Sequence, residues 1–143
     1  MKLSEHFDLS EFTRSQIAET HNLLNSPDLQ QVANLRKLCL EVLEPLRTII
    51  GPIRINSGFR SLAVNHLAGG VNSSQHMLGL AADIVPEKVS VKYAFNTIRS
   101  SSLPYDQTIL EPGWVHVSFS DKPRREALIV HKTGEKVEYE RVN

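Results

Sequence analysis

Hydrophobic residues change their spacing at Gly51-Pro52, and this change limits the folds that the chain can adopt. Before it, from Val32 to Ile49, apolar residues recur with the period of an amphipathic helix. After it, short apolar runs are separated by turn residues, which indicates short β-strands. Helices and strands then follow one another without a regular strand–helix–strand rhythm. The sequence therefore predicts an α+β fold with a small, mostly antiparallel sheet flanked by helices.

The predicted long helix begins near Ser26-Pro27-Asp28 and ends at Gly51-Pro52. We expect Ser26 to cap it and Pro27 to be its first helical residue. Pro45 is expected to kink it, because proline removes a backbone donor. Shorter helices are predicted at residues 9–12, 14–24, 62–67 and 89–100. Strands are predicted at residues 53–57, 81–85, 108–110, 114–120, 127–131 and 136–139, with a hairpin turn at Thr133-Gly134.

Length and composition fit a single domain over residues 1–143. Lysine plus arginine number 16 and aspartate plus glutamate also 16, so charge gives no reason to expect nucleic acid or an anionic membrane surface as a partner. No apolar run is long enough to cross a bilayer, and no long heptad repeat is present, so we expect a monomer without membrane insertion. The single cysteine, Cys39, lies at helical spacing among apolar residues and is predicted to be a buried thiol.

The segment around His76 and Asp83 combines two types of metal ligand with small residues. Imidazole and carboxylate groups both bind zinc well. If residues 81–85 form a strand, Ala82 and Ile84 point into the core and Asp83 points the other way. An isolated buried carboxylate is costly, so Asp83 is expected to need a cation or dense hydrogen bonding.

Residues 114–119 alternate cleanly between two kinds of side chain. One predicted face is apolar, and the other carries Trp114, His116 and Ser118. Polar groups beside one large aromatic residue are what the open surface of a site needs. Three protein ligands and one free position are typical of catalytic zinc.

Arg60 follows a predicted strand and a glycine turn, in the run Ser57-Gly58-Phe59-Arg60-Ser61. An arginine there could bind the terminal carboxylate of a peptide, or the oxyanion that forms at a scissile carbonyl. The alternative interpretation is a solvated arginine in a turn that starts a helix.

Taken together, these segments resemble a known family. The likeness rests on three runs: Ser57-Gly58-Phe59-Arg60-Ser61, Ser74-x-His76-x-x-Gly79-x-Ala81-x-Asp83 and Trp114-x-His116. They are similar to runs in the zinc D-alanyl-D-alanine carboxypeptidases, a family that includes the vancomycin-resistance dipeptidases and phage L-alanyl-D-glutamate endolysins. The closest likeness is to short phage or prophage peptidases of the carboxypeptidase type, and it covers roughly residues 3–120.

The resemblance implies a hedgehog-like fold, in which a small antiparallel sheet lines a zinc cleft. It implies a zinc ion held by His76, Asp83 and His116. It also implies Arg60 as a contact to the substrate or the oxyanion. We expect Ser74 to hydrogen-bond near the metal or the substrate, and Trp114 to form a cleft wall against a peptide stem.

The resemblance further implies hydrolysis of peptidoglycan stem peptides. The bond would be a terminal D-Ala-D-Ala bond for a carboxypeptidase, or an internal or cross-bridge bond for an endolysin. The N-terminus lacks the apolar region of a secretory signal. We therefore expect synthesis in the cytoplasm and action on the cell wall after release through a pore or at lysis.

One position departs from the family pattern. In the dipeptidase and endolysin branches, an acidic residue three positions before the last histidine ligand acts as general base, and here that position is Gly113. The nearest acid is Glu111. We expect Glu111 to polarise the attacking water or to give a proton to the leaving amine. Asp106 is the next acid upstream and the alternative for this role.

Two other interpretations stay open. The chain could be a catalytically inactive, zinc-containing module that binds cell-wall peptides, with Gly113 marking a lost base. It could also be a metal-free structural domain in which Asp83 pairs with an arginine. The basic run at residues 122–125 is expected to be a solvated loop, and the other histidines are expected to be structural or exposed.

Overall fold

A six-stranded sheet forms the centre of the computed structural model, which describes residues 1–143. Its strands are β1 (Ile53–Ser57), β2 (Ala81–Pro86), β3 (Tyr105–Glu111), β4 (Trp114–Phe119), β5 (Glu126–Thr133) and β6 (Lys136–Arg141). They lie in the order β1-β2-β4-β3-β5-β6. Only β3 and β5 are parallel, and every other neighbouring pair is antiparallel. The predicted α+β class and the mostly antiparallel sheet are confirmed.

The helices are short, apart from one long segment. They are α1 (Leu9–Thr13), α2 (Gln16–Thr20), α3 (Leu29–Leu38), α4 (Glu44–Ile50), α5 (Leu62–Leu67) and α6 (Val91–Ser100). The helix α2 is shorter than predicted, because Ser15 caps its start and Asn22 adopts a left-handed φ of 51° beyond its end. No helix is both long enough and apolar enough to span a bilayer.

The long helical segment starts one residue after Asp28, which caps it. The Asp28 carboxylate accepts a hydrogen bond from the Gln31 N–H at 2.8 Å, and the Gln31 side chain accepts one from the Asp28 N–H at 2.8 Å. This reciprocal capping box satisfies two free donors at once. The predicted cap at Ser26 and helical start at Pro27 are therefore wrong.

A π-helical turn over Cys39–Leu43 joins α3 to α4, directly before the region where Pro45 is expected to kink the helix. Within this turn the Glu44 N–H donates to the Cys39 carbonyl, five residues earlier. Pro45 has no N–H and cannot continue the ordinary helical ladder, so the widened turn lies directly before it.

The apolar core lies between the helices and one face of the sheet. It contains Leu35, Leu38, Cys39, Val42 and Leu46 from the long helical segment and Ile55, Ala82, Ile84, Val115 and Val117 from the strands. Cys39 is fully buried, as predicted, and burial raises the pKa of its thiol to about 12. Because alternate residues of the central strands fill this core, the residues between them lie on the opposite face of the sheet.

Replacing Gly79 by alanine is expected to destabilise the protein by about 1–3 kcal/mol. Gly79 has a φ of +75°, and an added Cβ would lie 2.5 Å from the Gln31 carbonyl oxygen. Gly134→Ala is the matched control, because that glycine has a φ of +63° with nothing near its added Cβ. Urea unfolding measures both variants, and an equal loss in the two would contradict the steric part of this prediction.

Candidate metal centre

Strands β2 and β4 bring two of the candidate ligands together. Asp83 on β2 is directly paired with His116 on β4 in the antiparallel register. Directly opposed residues have Cβ atoms roughly 4.5–5.5 Å apart, and their side chains lie on the same face. This face is opposite the core, because Ala82 and Ile84 beside Asp83 are buried in the core. The register therefore holds a carboxylate and an imidazole side by side in the cleft.

His76 comes from the short 3₁₀ turn Gln75–Leu78, just before β2. The Ser74 hydroxyl caps this turn and accepts a hydrogen bond from the His76 N–H at 3.2 Å. The His76 Nδ1 lies 2.7 Å from the Gly58 carbonyl oxygen. A carbonyl oxygen only accepts, so Nδ1 carries the hydrogen and Nε2 faces the cleft.

The three side chains converge on one carboxylate oxygen. His76 Nε2 is 3.4 Å and His116 Nδ1 is 3.1 Å from Oδ1 of Asp83. In a neutral imidazole with hydrogen on Nδ1, Nε2 is an acceptor, so it repels Oδ1 unless a proton or a cation lies between them. Ligand atoms of a tetrahedral zinc site, with bonds of about 2.0–2.2 Å, are roughly 3.3–3.6 Å apart. Donor type, the His76 tautomer and the 3.4 Å spacing of His76 from Asp83 therefore fit a zinc ion, and the 3.1 Å spacing of His116 is slightly shorter than this range.

Arg60 uses the other oxygen of Asp83. Its Nη2 is 3.3 Å from Oδ2, and its Nε donates to the Ser57 hydroxyl at 3.3 Å. The arginine partner expected of a metal-free structural domain is thus present. It leaves Oδ1, which faces the two histidines, available to a cation.

Both members of the Asp83–His116 pair are held in the protonation state that a metal ligand needs. Burial alone would raise the pKa of Asp83, but the His116 and His76 imidazoles beside the carboxylate lower it below its ordinary value. Burial lowers the pKa of His116, and the neighbouring Asp83 carboxylate, which can only accept a hydrogen bond, opposes this shift. The carboxylate is therefore an anion and the imidazole is neutral near pH 7, as metal binding requires.

Glu111 lies on the same face of the sheet, one strand further along. It is paired with Trp114, and Ile109 is paired with His116, so Glu111 and His116 are diagonal neighbours across the strands. Such neighbours are roughly 7–8 Å apart, within reach of a long side chain. Burial, and then the negative charge of Asp83, raise the pKa of Glu111 above its usual value. A raised pKa suits a carboxyl group that exchanges protons near neutral pH.

Two cavities border Asp83, and His76 and His116 line only one of them. The β1-side cavity, of about 600 Å³, is lined by β1, the α1–α2 segment and α5. The β3-side cavity, of about 420 Å³, is lined by residues of β3, the loop before His76, Arg124 and Tyr139. Arg60, Asp83 and Trp114 line both cavities, so the half-buried indole forms a wall between them. Ser74 lines only the β3-side cavity.

Asp106, the alternative acid, is committed to an ion pair. Its carboxylate accepts hydrogen bonds from the Arg124 guanidinium at 2.8–3.2 Å, from the Arg124 backbone N–H at 2.9 Å and from the Gln75 side chain at 3.0 Å. Gln75 precedes His76, so this pair also anchors the turn that carries a candidate ligand. Residues 122–125 lie in a loop whose first three residues are exposed, as predicted, but the prediction of a solvated loop is wrong for Arg125, which is half-buried. Arg125 donates to the carbonyls of residues 101 and 103 and packs over the Tyr105 ring.

The Asp106–Arg124 ion pair predicts a pH-dependent stability. Burial would raise the pKa of Asp106, but its hydrogen bonds with Arg124 and Gln75 lower it below the ordinary value. A lowered folded pKa gives stability that is full above the unfolded pKa, about 3.9, and is lost as the pH falls through the folded pKa. Asp106→Asn is therefore expected to be less stable than wild type at pH 7, with the difference shrinking below about pH 4.

Urea unfolding at pH 7 and at pH 3 measures this effect. Asp121→Asn is the control, because the Asp121 side chain is 79 % exposed. A gap between wild type and Asp106→Asn that stays constant over this range would contradict the prediction.

Of the other histidines, His6 and His131 pair with Glu44 and Glu140, each at 2.7 Å. His21 and His66 are exposed. None of these four belongs to the metal-ligand group, which consists of His76, Asp83 and His116.

The comparisons with known proteins agree with this geometry. A family model described as Peptidase M15 matches residues 5–118, which include the three candidate ligands, Arg60 and Glu111 and exclude β5 and β6. A search of curated proteins finds no match. The M15 peptidases depend on zinc, and the His-Asp-His group could bind a metal ion. With about four-fifths of its residues matched, the chain belongs to the Peptidase M15 family, the family of the zinc D-Ala-D-Ala carboxypeptidases.

Proposed function

We propose that this protein is a zinc-dependent peptidase that hydrolyses peptidoglycan stem peptides. The observation that carries the proposal is the convergence of His76 Nε2 and His116 Nδ1 on Oδ1 of Asp83 beside an open cleft. Zinc held by these three residues would polarise the scissile carbonyl and lower the pKa of water. The family supports a metallopeptidase in general, and the wall peptide as substrate is our proposal.

Other residues of the chain would transfer the proton and bind the substrate. Glu111, with its raised pKa, would take a proton from the attacking water and return it to the leaving amine. Arg60, already oriented by Ser57 and Asp83, would bind a substrate carboxylate or share the charge of the oxyanion. Trp114 would pack against the peptide at the junction of the two cavities. Ser74 would keep the His76 turn closed and could contact the peptide in the β3-side cavity.

The second candidate function is a module that binds wall peptides without cutting them. It is favoured by Gly113, where the dipeptidase and endolysin branches carry their general base. Gly113 has a φ of +103° and nothing near its added Cβ, so no neighbouring side chain fills the place of that base. The first function therefore requires Glu111 to act in its stead.

Incubation of the zinc-loaded protein with a wall stem pentapeptide tests the first function. Mass spectrometry of the products identifies the bond: loss of a terminal D-alanine indicates a carboxypeptidase, and an internal cut indicates an endopeptidase. The two cavities share Asp83, Arg60 and Trp114, so a peptide bound in the β3-side cavity could extend into the β1-side cavity in either case. A chelator should stop the reaction and added zinc should restore it. Tight peptide binding without any product would favour the binding module.

A further inference from the structure

Arg14 and Arg54 line the β1-side cavity and have no partner. Neither guanidinium makes an ion pair or a side-chain hydrogen bond, and both residues are exposed. Long cationic side chains that line a cavity without a partner are free to bind an anion. By contrast, the guanidinium of Arg124, which lines the β3-side cavity, already donates hydrogen bonds to the Asp106 carboxylate.

The strand register fixes Arg54 close to the candidate metal ligands. Arg54 on β1 is paired with Val85 on β2, so Asp83 is its diagonal neighbour. Diagonal neighbours are roughly 7–8 Å apart. Arg54 alternates with the core residues Ile53 and Ile55, and its side chain is therefore on the cleft face of the sheet.

A part-buried set of hydrogen bonds holds the backbone next to Arg14, which lines the same cavity. The Asn25 amide donates to the Thr13 carbonyl at 2.9 Å and to the Phe59 carbonyl at 3.0 Å, and its oxygen accepts from the Ser61 N–H at 2.8 Å. These bonds tie the residue before Arg14 to both neighbours of Arg60. The N-terminal segment and the Arg60 turn are thus joined on opposite sides of one cavity.

The charges of the two cavities differ. The β3-side cavity is lined by two arginines and two acids, which are Arg60, Arg124, Asp83 and Glu111. The β1-side cavity is lined by three arginines and two acids, which are Arg14, Arg54, Arg60, Glu19 and Asp83. Asp83 is already shared by two histidines and Arg60, so Glu19 is the one free acid there. The β1-side cavity therefore has one more arginine than the β3-side cavity and the same number of acids.

We propose that the β1-side cavity is a substrate subsite in which Arg54 and Arg14 bind a carboxylate of the peptide and so set its direction across the metal centre. This inference rests on the proposed function. In a wall stem peptide the carboxylate could be the C-terminal one or that of an internal glutamate. Both offer the same bidentate chemistry to an arginine.

A comparison of three peptides distinguishes the C-terminal carboxylate from the glutamate carboxylate. The peptides are L-Ala-γ-D-Glu-L-Lys-D-Ala-D-Ala, the same peptide with the glutamate α-carboxylate as a carboxamide, and the same peptide with a C-terminal carboxamide. Trp114, the single tryptophan of the chain, borders both cavities, so its fluorescence reports binding. The titrations use the zinc-loaded full-length protein in the Glu111→Gln background, so that the peptide is not consumed.

We expect one of the two amidations to weaken peptide binding about tenfold. The carboxylate removed by that amidation is then the one that Arg54 and Arg14 bind. The double variant Arg14→Gln, Arg54→Gln should bind the parent peptide more weakly by a similar factor. Its affinity for that amidated peptide should equal the affinity of the protein with both arginines. Arg47→Gln is the matched control, because Arg47 lies on α4 and lines neither cavity. Both arginines are exposed, so their replacement should not impair folding.

The subsite would be refuted if both carboxamides bound as tightly as the parent peptide, or if the double variant weakened all three peptides equally. Hydrolysis of the parent peptide by the wild-type protein is measured separately. If the protein hydrolyses the parent peptide but binds all three peptides equally well, the subsite proposal is refuted and the proposed peptidase function still stands. If one carboxamide peptide binds more weakly but no peptide is hydrolysed, the result supports the subsite in a module that binds wall peptides without cutting them.

Discussion

Glu111→Gln is expected to lower kcat by about 10²–10⁴-fold with little change in zinc content. Glutamine keeps the shape of glutamate, but its amide cannot act as a general base. Glu111 is the only acid besides Asp83 that lines the β3-side cavity, and burial and Asp83 raise its pKa. No second carboxyl group is placed to replace it, because the Asp106 carboxylate is bound to Arg124 and Gln75.

Glu135→Gln is the matched control, since Glu135 is exposed in the hairpin between β5 and β6. It should have wild-type activity. If Glu111 acts as the base, kcat/KM of the wild type should fall as the pH drops through the Glu111 pKa, and the residual activity of Glu111→Gln should lack that fall. Full activity in Glu111→Gln would remove this residue from the mechanism.

Asp83→Ala is expected to abolish activity and to weaken zinc binding by more than about 100-fold. That figure is the upper end of the loss usual for a residue that only supports a metal ligand, and Asp83 is proposed as a ligand itself. Its removal also leaves Arg60 and two imidazoles facing one another without an anion. Because the positive charge of Arg60 is then no longer balanced at this site, the variant should bind any cation there more weakly.

Thermal unfolding with and without zinc provides a readout that does not depend on catalysis. Zinc at 100 times its Kd should stabilise the wild-type protein by about 2.7 kcal/mol and leave Asp83→Ala unchanged. Asp121→Ala, which removes an exposed carboxylate, should respond to zinc as the wild type does. An equal zinc response in Asp83→Ala would exclude Asp83 as a ligand.

Local patterns were sufficient to predict the strands and the faces on which Asp83 and His116 lie. The alternation over residues 114–119 depends only on the pleat of one strand, and Val115 and Val117 are buried in the core as it requires. The small residues between His76 and Asp83 predicted a tight approach. In the structure Gly79 ends the His76 turn in a left-handed conformation directly before β2.

Contacts between distant segments could not be predicted in the same way. Asp106 and Arg124 are 18 residues apart and meet because β3 and β5 are parallel neighbours, which no local pattern indicates. The cavity lined by Arg14 and Arg54 depends on the hydrogen bonds that Asn25 makes across the N-terminal segment. Local signals also compete at the helix start, where Ser26 and Asp28 are both good caps and the reciprocal bond with Gln31 favours Asp28.

The zinc content of the purified protein tests the central claim most directly. It is measured after reconstitution with zinc and dialysis, for the wild type, for His76→Ala and for His66→Ala, whose histidine is exposed outside the ligand group. The account predicts about one zinc per chain in the wild type and in His66→Ala, and a loss of that zinc in His76→Ala. A well-folded wild type without zinc, or a His76→Ala variant that keeps it, would contradict the account.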